Sequence, residues 1–154
     1  MSDFARVEHK PALVVAGLRE TVDQGAGRAS LWDRTINAAT LAGANLAHAQ
    51  QVAIIFGATP SQEFDYMAGF VVDSKESASK LDLNAAEVPA GDYAIVDVRG
   101  PAPLASSTGL EYLVSTFLPE HGLAPSGPAM EIFGPGDTSA EDYAMQVWVP
   151  VKAA

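Results

Sequence analysis

The sequence predicts an α+β fold in which a β-α-β-β module is used twice about a pseudo-twofold axis. An antiparallel sheet carries two helices on one face and a ligand cleft on the other. Three observations predict it. Two stretches have helical hydrophobic spacing, and six stretches rich in Val, Ile or aromatic residues are bounded by Gly, Pro, Asp or Ser. Their order along the chain is β-α-β-β and then β-α-β-β. Short segments also recur in that order. Val14-Val15-Ala16-Gly17-Leu18-Arg19 resembles Ala94-Ile95-Val96-Asp97-Val98-Arg99 at an offset of 80 (94 minus 14), and Ile55-Phe56-Gly57 matches Ile132-Phe133-Gly134 at 77 (132 minus 55). Asp65-Tyr66 matches Asp142-Tyr143 at the same 77 (142 minus 65). The expectation is one domain over residues 1–154, with repeats at about 5–75 and 87–152 and no separate DNA-binding domain.

The elements follow in order. Residues 12–19 read as the first strand. A helix is expected to open at Ser30, with Asp33 in the capping-box position and Trp32, Ile36, Ala39, Gly43 and Leu46 on the face that packs on the sheet. Strands are expected at 52–56 and 66–73, and the polar run 74–87 reads as a connector between halves. The second half repeats the pattern with a strand at 93–99 and a Pro-containing turn at 100–103. Its helix is announced by Thr108 and Glu111 and carries Leu110, Leu113, Val114, Phe117 and Leu118 at i, i+3, i+4, i+7, i+8 spacing. Pro119 and Gly122 end that helix, and strands at 129–133 and 143–151 close the chain around a turn at Gly134-Pro135-Gly136-Asp137.

Composition narrows the function classes. Hydrophobic residues are 48% and charged residues 18%, an ordinary globular balance. Nine Lys plus Arg against 19 Asp plus Glu give a formal charge of -10, which argues against direct nucleic-acid binding and against anionic membranes and suits cationic ligands. The absence of cysteine excludes disulfides, thiolate nucleophiles and Cys-ligated metals. Neither a signal peptide nor an apolar run of membrane-spanning length is visible, so the expected location is cytoplasmic.

Strand alternation assigns faces. Met145, Val147, Val149, Ala68, Phe70, Val72, Ile55 and Ile132 are expected to lie beneath the helices. Trp148, Gln146, Met67 and Gly69 then take the second face, joined by Ile54, Phe56, Glu131 and Phe133. This places Phe56, Phe133, Trp148 and Met67 around one carboxylate, Glu131, whose repeat counterpart is Ile54. An acid among rings attracts a cation by charge and by cation–π contact. The bland alternative makes Glu131 an edge-strand device, solvated or paired with Arg19 or Arg99.

Other chemistries find little support. His9, His48 and His121 lie far apart, with no metal-ligand spacing, and no metal or other cofactor is expected. Ser61, Ser106, Ser107 and Ser126 read as turn and cap residues in the absence of a nucleophile elbow. Gly25-Ala26-Gly27-Arg28-Ala29-Ser30 is a poor phosphate loop. Glu131 with Tyr93 or Tyr112 is the one pair suited to general acid–base work.

These residues carry a family resemblance. Val88-Pro89-Ala90-Gly91-Asp92-Tyr93-Ala94, the helix end Phe117-Leu118-Pro119 with Gly122, Gly127-Pro128-Ala129-Met130-Glu131-Ile132-Phe133, and Val147-Trp148-Val149-Pro150-Val151 resemble motifs of the GyrI-like, AraC-type effector-binding family. The resemblance implies a duplicated β-α-β-β fold and small-molecule binding between the repeats, with the family's cleft glutamate at Glu131. The aromatic that follows is Phe133 where the family usually has Tyr, which removes a hydroxyl from any acid–base scheme. Such domains sense aromatic or cationic drugs for transcription regulators, act on gyrase, or hydrolyse reactive toxins. The expected function is therefore binding of an aromatic, cationic organic molecule, with Glu131, Phe133, Trp148, Phe56, Met67, Gln146, Tyr93 and Tyr112 as site residues. The alternatives are a hydrolase using Glu131 and an acidic surface that engages a protein partner, a regulator or gyrase.

Overall fold

The computed structural model of the chain describes residues 5–23, 26–44, 49–56 and 63–154. Leu46, His48, Gly57 and Ser61, named above, lie outside the described residues, as does Gly25. The elements are β1 (Ala5–Lys10), β2 (Leu13–Asp23), α1 (Ala26–Leu41), β3 (Gln51–Ile55), β4 (Glu63–Val72), α2 (Lys75–Lys80), β5 (Asn84–Val88) and β6 (Gly91–Arg99). They continue with α3 (Ala102–Tyr112), a π-helical turn (Leu113–Phe117), α4 (Leu118–Glu120), β7 (Leu123–Pro125), β8 (Ala129–Phe133) and β9 (Ala144–Ala153). Three strands, β1, β5 and β7, fall where the sequence reading had none, and the run 74–87 read as a connector holds α2 as well as most of β5. The alternating polar residues Arg6, Glu8 and Lys10 hide β1, and Asn84 and Glu87 around two alanines leave β5 without a β-branched or aromatic run; both strands lie at sheet edges where one side needs no apolar cover.

All strand pairs among the described residues are antiparallel, in the order β1-β6-β9-β8-β3-β4-β2-β5, with β7 on the end of β9. The order is symmetric about the β8–β3 contact. Moving outward, β8 answers β3, β9 answers β4, β6 answers β2 and β1 answers β5. The β-α-β-β units β2-α1-β3-β4 and β6-α3-β8-β9 therefore meet edge to edge, as the repeated segments predict.

One face carries the helices. Beneath them lie Leu31, Ala53, Ile55, Ala68, Val96, Leu110, Leu113, Phe117, Leu118, Met145 and Val147, including the predicted apolar face of the second helix. Gly109 lets α3 settle close to the sheet, since a β-carbon there would stand 2.7 Å from the Val98 side chain. The π-helical turn precedes Pro119, which has no N–H to give and whose ring crowds the preceding turn, so the backbone widens by one residue before the helix ends. Gly122, at φ 66°, then takes the left-handed conformation that stops it.

The opposite face is closed by curvature. β5 and β6 are six strand steps apart, about 29 Å in a flat sheet at about 4.8 Å per step. Only Pro89 and Ala90 join them, a link that reaches about 11 Å. The sheet must curl until its ends meet. Val15, Val52, Ile54, Met67, Val88, Tyr93, Ile95 and Met130 fill the concave side, with Trp148 and Phe56 packed at its margin. Gly17 and Gly69, paired across β2 and β4, permit the bend: a β-carbon on Gly17 would stand 1.9 Å from the Ala68 carbonyl oxygen.

Candidate functional site

Glu131 lies on the helix-bearing face, not on the concave one. It pairs across the sheet with Val147 on one side and Ala53 on the other, and cross-strand partners share a face. Phe133 goes with it, and Ile132 takes the concave side. The error in the sequence reading has one source. Matching Ile55-Phe56-Gly57 to Ile132-Phe133-Gly134 put Ile132 in the place of Ile55, although the two lie on opposite faces, and a slip of one residue turns every side chain of a strand over. The faces expected for β4 and β9 are the ones observed.

The consequence is a different grouping of site residues. Trp148, Met67, Phe56, Gln146 and Tyr93 belong to the concave side, where Trp148 Nε1 donates to Gln146 Oε1 (2.9 Å) and Gln146 Nε2 donates to Asp97 Oδ1 (2.8 Å). Tyr93 donates its hydroxyl to the Pro89 carbonyl (2.8 Å), tying the β5–β6 link down. Tyr112 packs beside Phe117 under the helix, with ring centroids 6.5 Å apart. Neither tyrosine is the partner of Glu131. Of the expected set, Phe133 alone joins Glu131 in lining the cavity on the helix-bearing face, while Trp148 meets Gln146 and Tyr93 on the other side.

Glu131 is 1% exposed, on a central strand, so the edge-strand role fails along with pairing to Arg19, which meets Asp65 instead (2.9 Å). Its carboxylate is held by groups from three elements. The Tyr66 hydroxyl from β4 donates to Oε1 at 2.7 Å. Ser106 from α3, expected to serve in a turn or cap, is itself 1% exposed and donates to Oε2. Arg28 from α1 places Nη1 3.6 Å from Oε2, with its guanidinium carbon 4.9 Å from the centre of the Tyr66 ring. A carboxylate taken out of water costs several kcal/mol unless paired and hydrogen-bonded, and these groups supply that compensation.

Around the carboxylate is a cavity of about 390 Å³ between α1, α3 and the sheet, within the range of small-molecule sites. Trp32, Tyr66 and Phe133 form its aromatic walls; Ala29, Asp33 and Ile36 of α1 form an exposed rim. Trp32 stands edge-on to Phe133 with centroids 5.3 Å apart, and its Nε1 donates to the Tyr66 oxygen at 3.2 Å. These bonds fix the order Trp32 to Tyr66 to Glu131.

Arg28, Trp32, Tyr66 and Ser106 were not among the expected site residues. α1 opens at Ala26, four residues before the expected cap Ser30, so Arg28 falls inside a helix one turn from Trp32, and not in a glycine-rich loop. Tyr66 could have been found: it is two residues from Ala68 on a strand whose helix-facing set was correctly assigned. Among the described residues no cluster of acids and histidines could hold a metal, and no helix is long and apolar enough to cross a membrane.

Burial, and after it the neighbouring Glu131 charge and hydrogen bond, holds the Tyr66 phenol well above its usual pKa. Burial raises Tyr93 and Tyr143 as well. A raised phenol pKa contributes stability that is intact below the unfolded tyrosine value and is lost as pH climbs through the folded one. Tyr66→Phe is therefore expected to flatten the alkaline fall in stability and to remove the latest phase of phenolate absorbance in a pH titration. An unchanged titration curve would contradict the assignment.

Comparison with known proteins agrees with this architecture. The GyrI-like small molecule binding domain matches residues 5–152 of the sequence. No curated protein sequence matches the chain. Among solved structures, the chain is similar to SAV2435 bound to tetraphenylphosphonium, at 20% identity and a TM-score of 0.68, over 96% of this chain and 93% of that one. The C-terminal domain of EcmrR is similar at 14% identity and a TM-score of 0.74, over 97% and 98% of the two chains. A hydrolase from Listeria innocua is similar at 9% identity and a TM-score of 0.63, over 96% and 91%. At these identities the structural likeness speaks for the fold, and the sequence match over nearly the whole length speaks for descent: the chain belongs to the family of the GyrI-like small molecule binding domain.

Proposed function

We propose that the cavity between α1, α3 and the sheet binds small aromatic cations, with Glu131 as countercharge and Trp32, Tyr66 and Phe133 as walls. The observation that carries this reading is a carboxylate almost without exposure at the base of an aromatic cavity whose rim is open to solvent. Aromatic faces and a fixed anion reinforce one another for a delocalised organic cation, because the rings add cation–π attraction and exclude the water that would otherwise screen the charge. The tetraphenylphosphonium held by SAV2435 supports the choice of ligand class.

Thermal denaturation with tetraphenylphosphonium and with neutral triphenylphosphine oxide tests it. A ligand that binds the native state alone raises the melting temperature by mass action. The cation is expected to raise it well beyond the neutral compound at equal concentration. Equal shifts, or none, would contradict the countercharge.

A hydrolytic use of the same site is favoured by one observation, the Tyr66–Glu131 hydrogen bond. It sets a protonated phenol beside a carboxylate, as general acid–base work on a reactive ligand requires. That reading calls for a released product by mass spectrometry, lost in Glu131→Gln.

A further inference from the structure

We infer that Arg28 is an internal competitor for the ligand: its guanidinium and an organic cation contend for the same carboxylate, and the ligand binds by displacing the arginine. The inference rests on the reading of the cavity as a cation site and adds how that site is regulated.

Four observations lead to it. The guanidinium is itself a planar, delocalised cation, and it lies over the Tyr66 ring and beside Glu131 Oε2. It thus makes the two contacts proposed for a ligand. Arg28 is 8% exposed and lines the cavity, so a ligand that reaches Glu131 shares that space with this side chain. It sits in the first turn of α1, where the helix dipole disfavours a positive charge, so the helix itself does not favour a cation there, whereas the Glu131 charge does. Finally, its 3.6 Å approach is looser than the hydrogen bonds that Tyr66 and Ser106 give the carboxylate. Tyr66 and Ser106 bond it directly, one to each oxygen, and continue to hold it when the arginine leaves.

Competition of this kind acts as a threshold on ligands. A small ammonium or guanidinium offers Glu131 nothing that Arg28 does not. A bulky aromatic cation adds burial of its rings against Trp32 and Phe133 and can tip the exchange. Selection for large aromatic cations then needs no contact with any one chemical group of the ligand.

Arg28→Met keeps the length and the helix propensity of the side chain while removing its charge. Titration calorimetry with tetraphenylphosphonium is expected to show binding at least about tenfold tighter than in the wild type, equivalent to about 1.4 kcal/mol of lost competition. Arg28→Lys, which keeps a charge at the position, should gain less, and the gain should vanish in a Glu131→Gln background. Wild-type-like or weaker binding by Arg28→Met would overturn the exchange while leaving the cavity a cation site. Absence of binding by both proteins would overturn the site as well. Should Arg28→Met fail to fold, the Arg28 Nε–H resonance of the wild type decides. Saturating tetraphenylphosphonium is expected to move it and to speed its exchange with water, and an unmoved, equally protected resonance would overturn the exchange.

Discussion

Glu131→Gln is expected to weaken binding of tetraphenylphosphonium by at least about tenfold, as read by titration calorimetry, and to leave the weak binding of neutral aromatic ligands within about twofold. The substitution is nearly isosteric, and the amide oxygen can still accept from Tyr66 or Ser106. What it removes is the charge. A hydrogen bond or contact to a charged partner in a buried setting is worth about 1.5–3 kcal/mol, which spans about tenfold to about a hundredfold in affinity. The lower end applies here because in the wild type the ligand must first displace Arg28 from the same carboxylate, a cost that disappears along with the charge. The same variant deprives Arg28 of the charge it faces, so a lower melting temperature is also expected, and affinity must be compared on folded protein. Equal affinity of the two proteins for the cation would remove Glu131 from the role.

Gly17→Ala is expected to cost at least about 3 kcal/mol of stability or to prevent folding, as measured by denaturant unfolding. The added carbon would stand 1.9 Å from the Ala68 carbonyl oxygen, against backbone and not against a flexible side chain, so relief requires β2 and β4 to part at the paired Gly17 and Gly69. Gly43→Ala provides the contrast. Nothing lies within 4 Å of its added carbon, so its cost comes from the positive φ of 90° alone and is expected to stay near about 1 kcal/mol. Similar losses in the two variants would contradict the account of the curl.

Much of the fold was legible because its signals are local. Leu110, Leu113, Phe117 and Leu118 repeat at helical spacing, and they are buried as that spacing requires. Alternation in β4 and β9 assigned Ala68, Met67, Val147 and Trp148 to their faces because each is read within its own strand. The repeated Asp-Tyr pair and the repeated β2 and β6 segments revealed the duplication.

The site was harder to see because it depends on relations between strands. The face of β8 was carried over from β3 by a three-residue match, and an error of one position moved Glu131 to the wrong side. The concave side looked like a cleft because nothing within one strand reports the curvature. The reporters are Gly17, Gly69 and the two-residue link Pro89-Ala90, and they signify only once the strand order is known. Glu131 was singled out correctly as a lone acid in an apolar strand. Its partners were missed because Tyr66, Ser106 and Arg28 come from three separate elements and share no spacing in the sequence.

The two tryptophans provide the most direct test of where the ligand sits, since Trp32 lines the cavity on the helix-bearing face and Trp148 packs on the concave one. Fluorescence of Trp148→Phe, which leaves Trp32 as sole emitter, and of Trp32→Phe, which leaves Trp148, is followed while tetraphenylphosphonium is added. The account predicts that Trp32 emission changes with a saturable dependence on ligand and that Trp148 emission does not. A saturable response of Trp148 with Trp32 silent would put the ligand on the concave side and contradict the account.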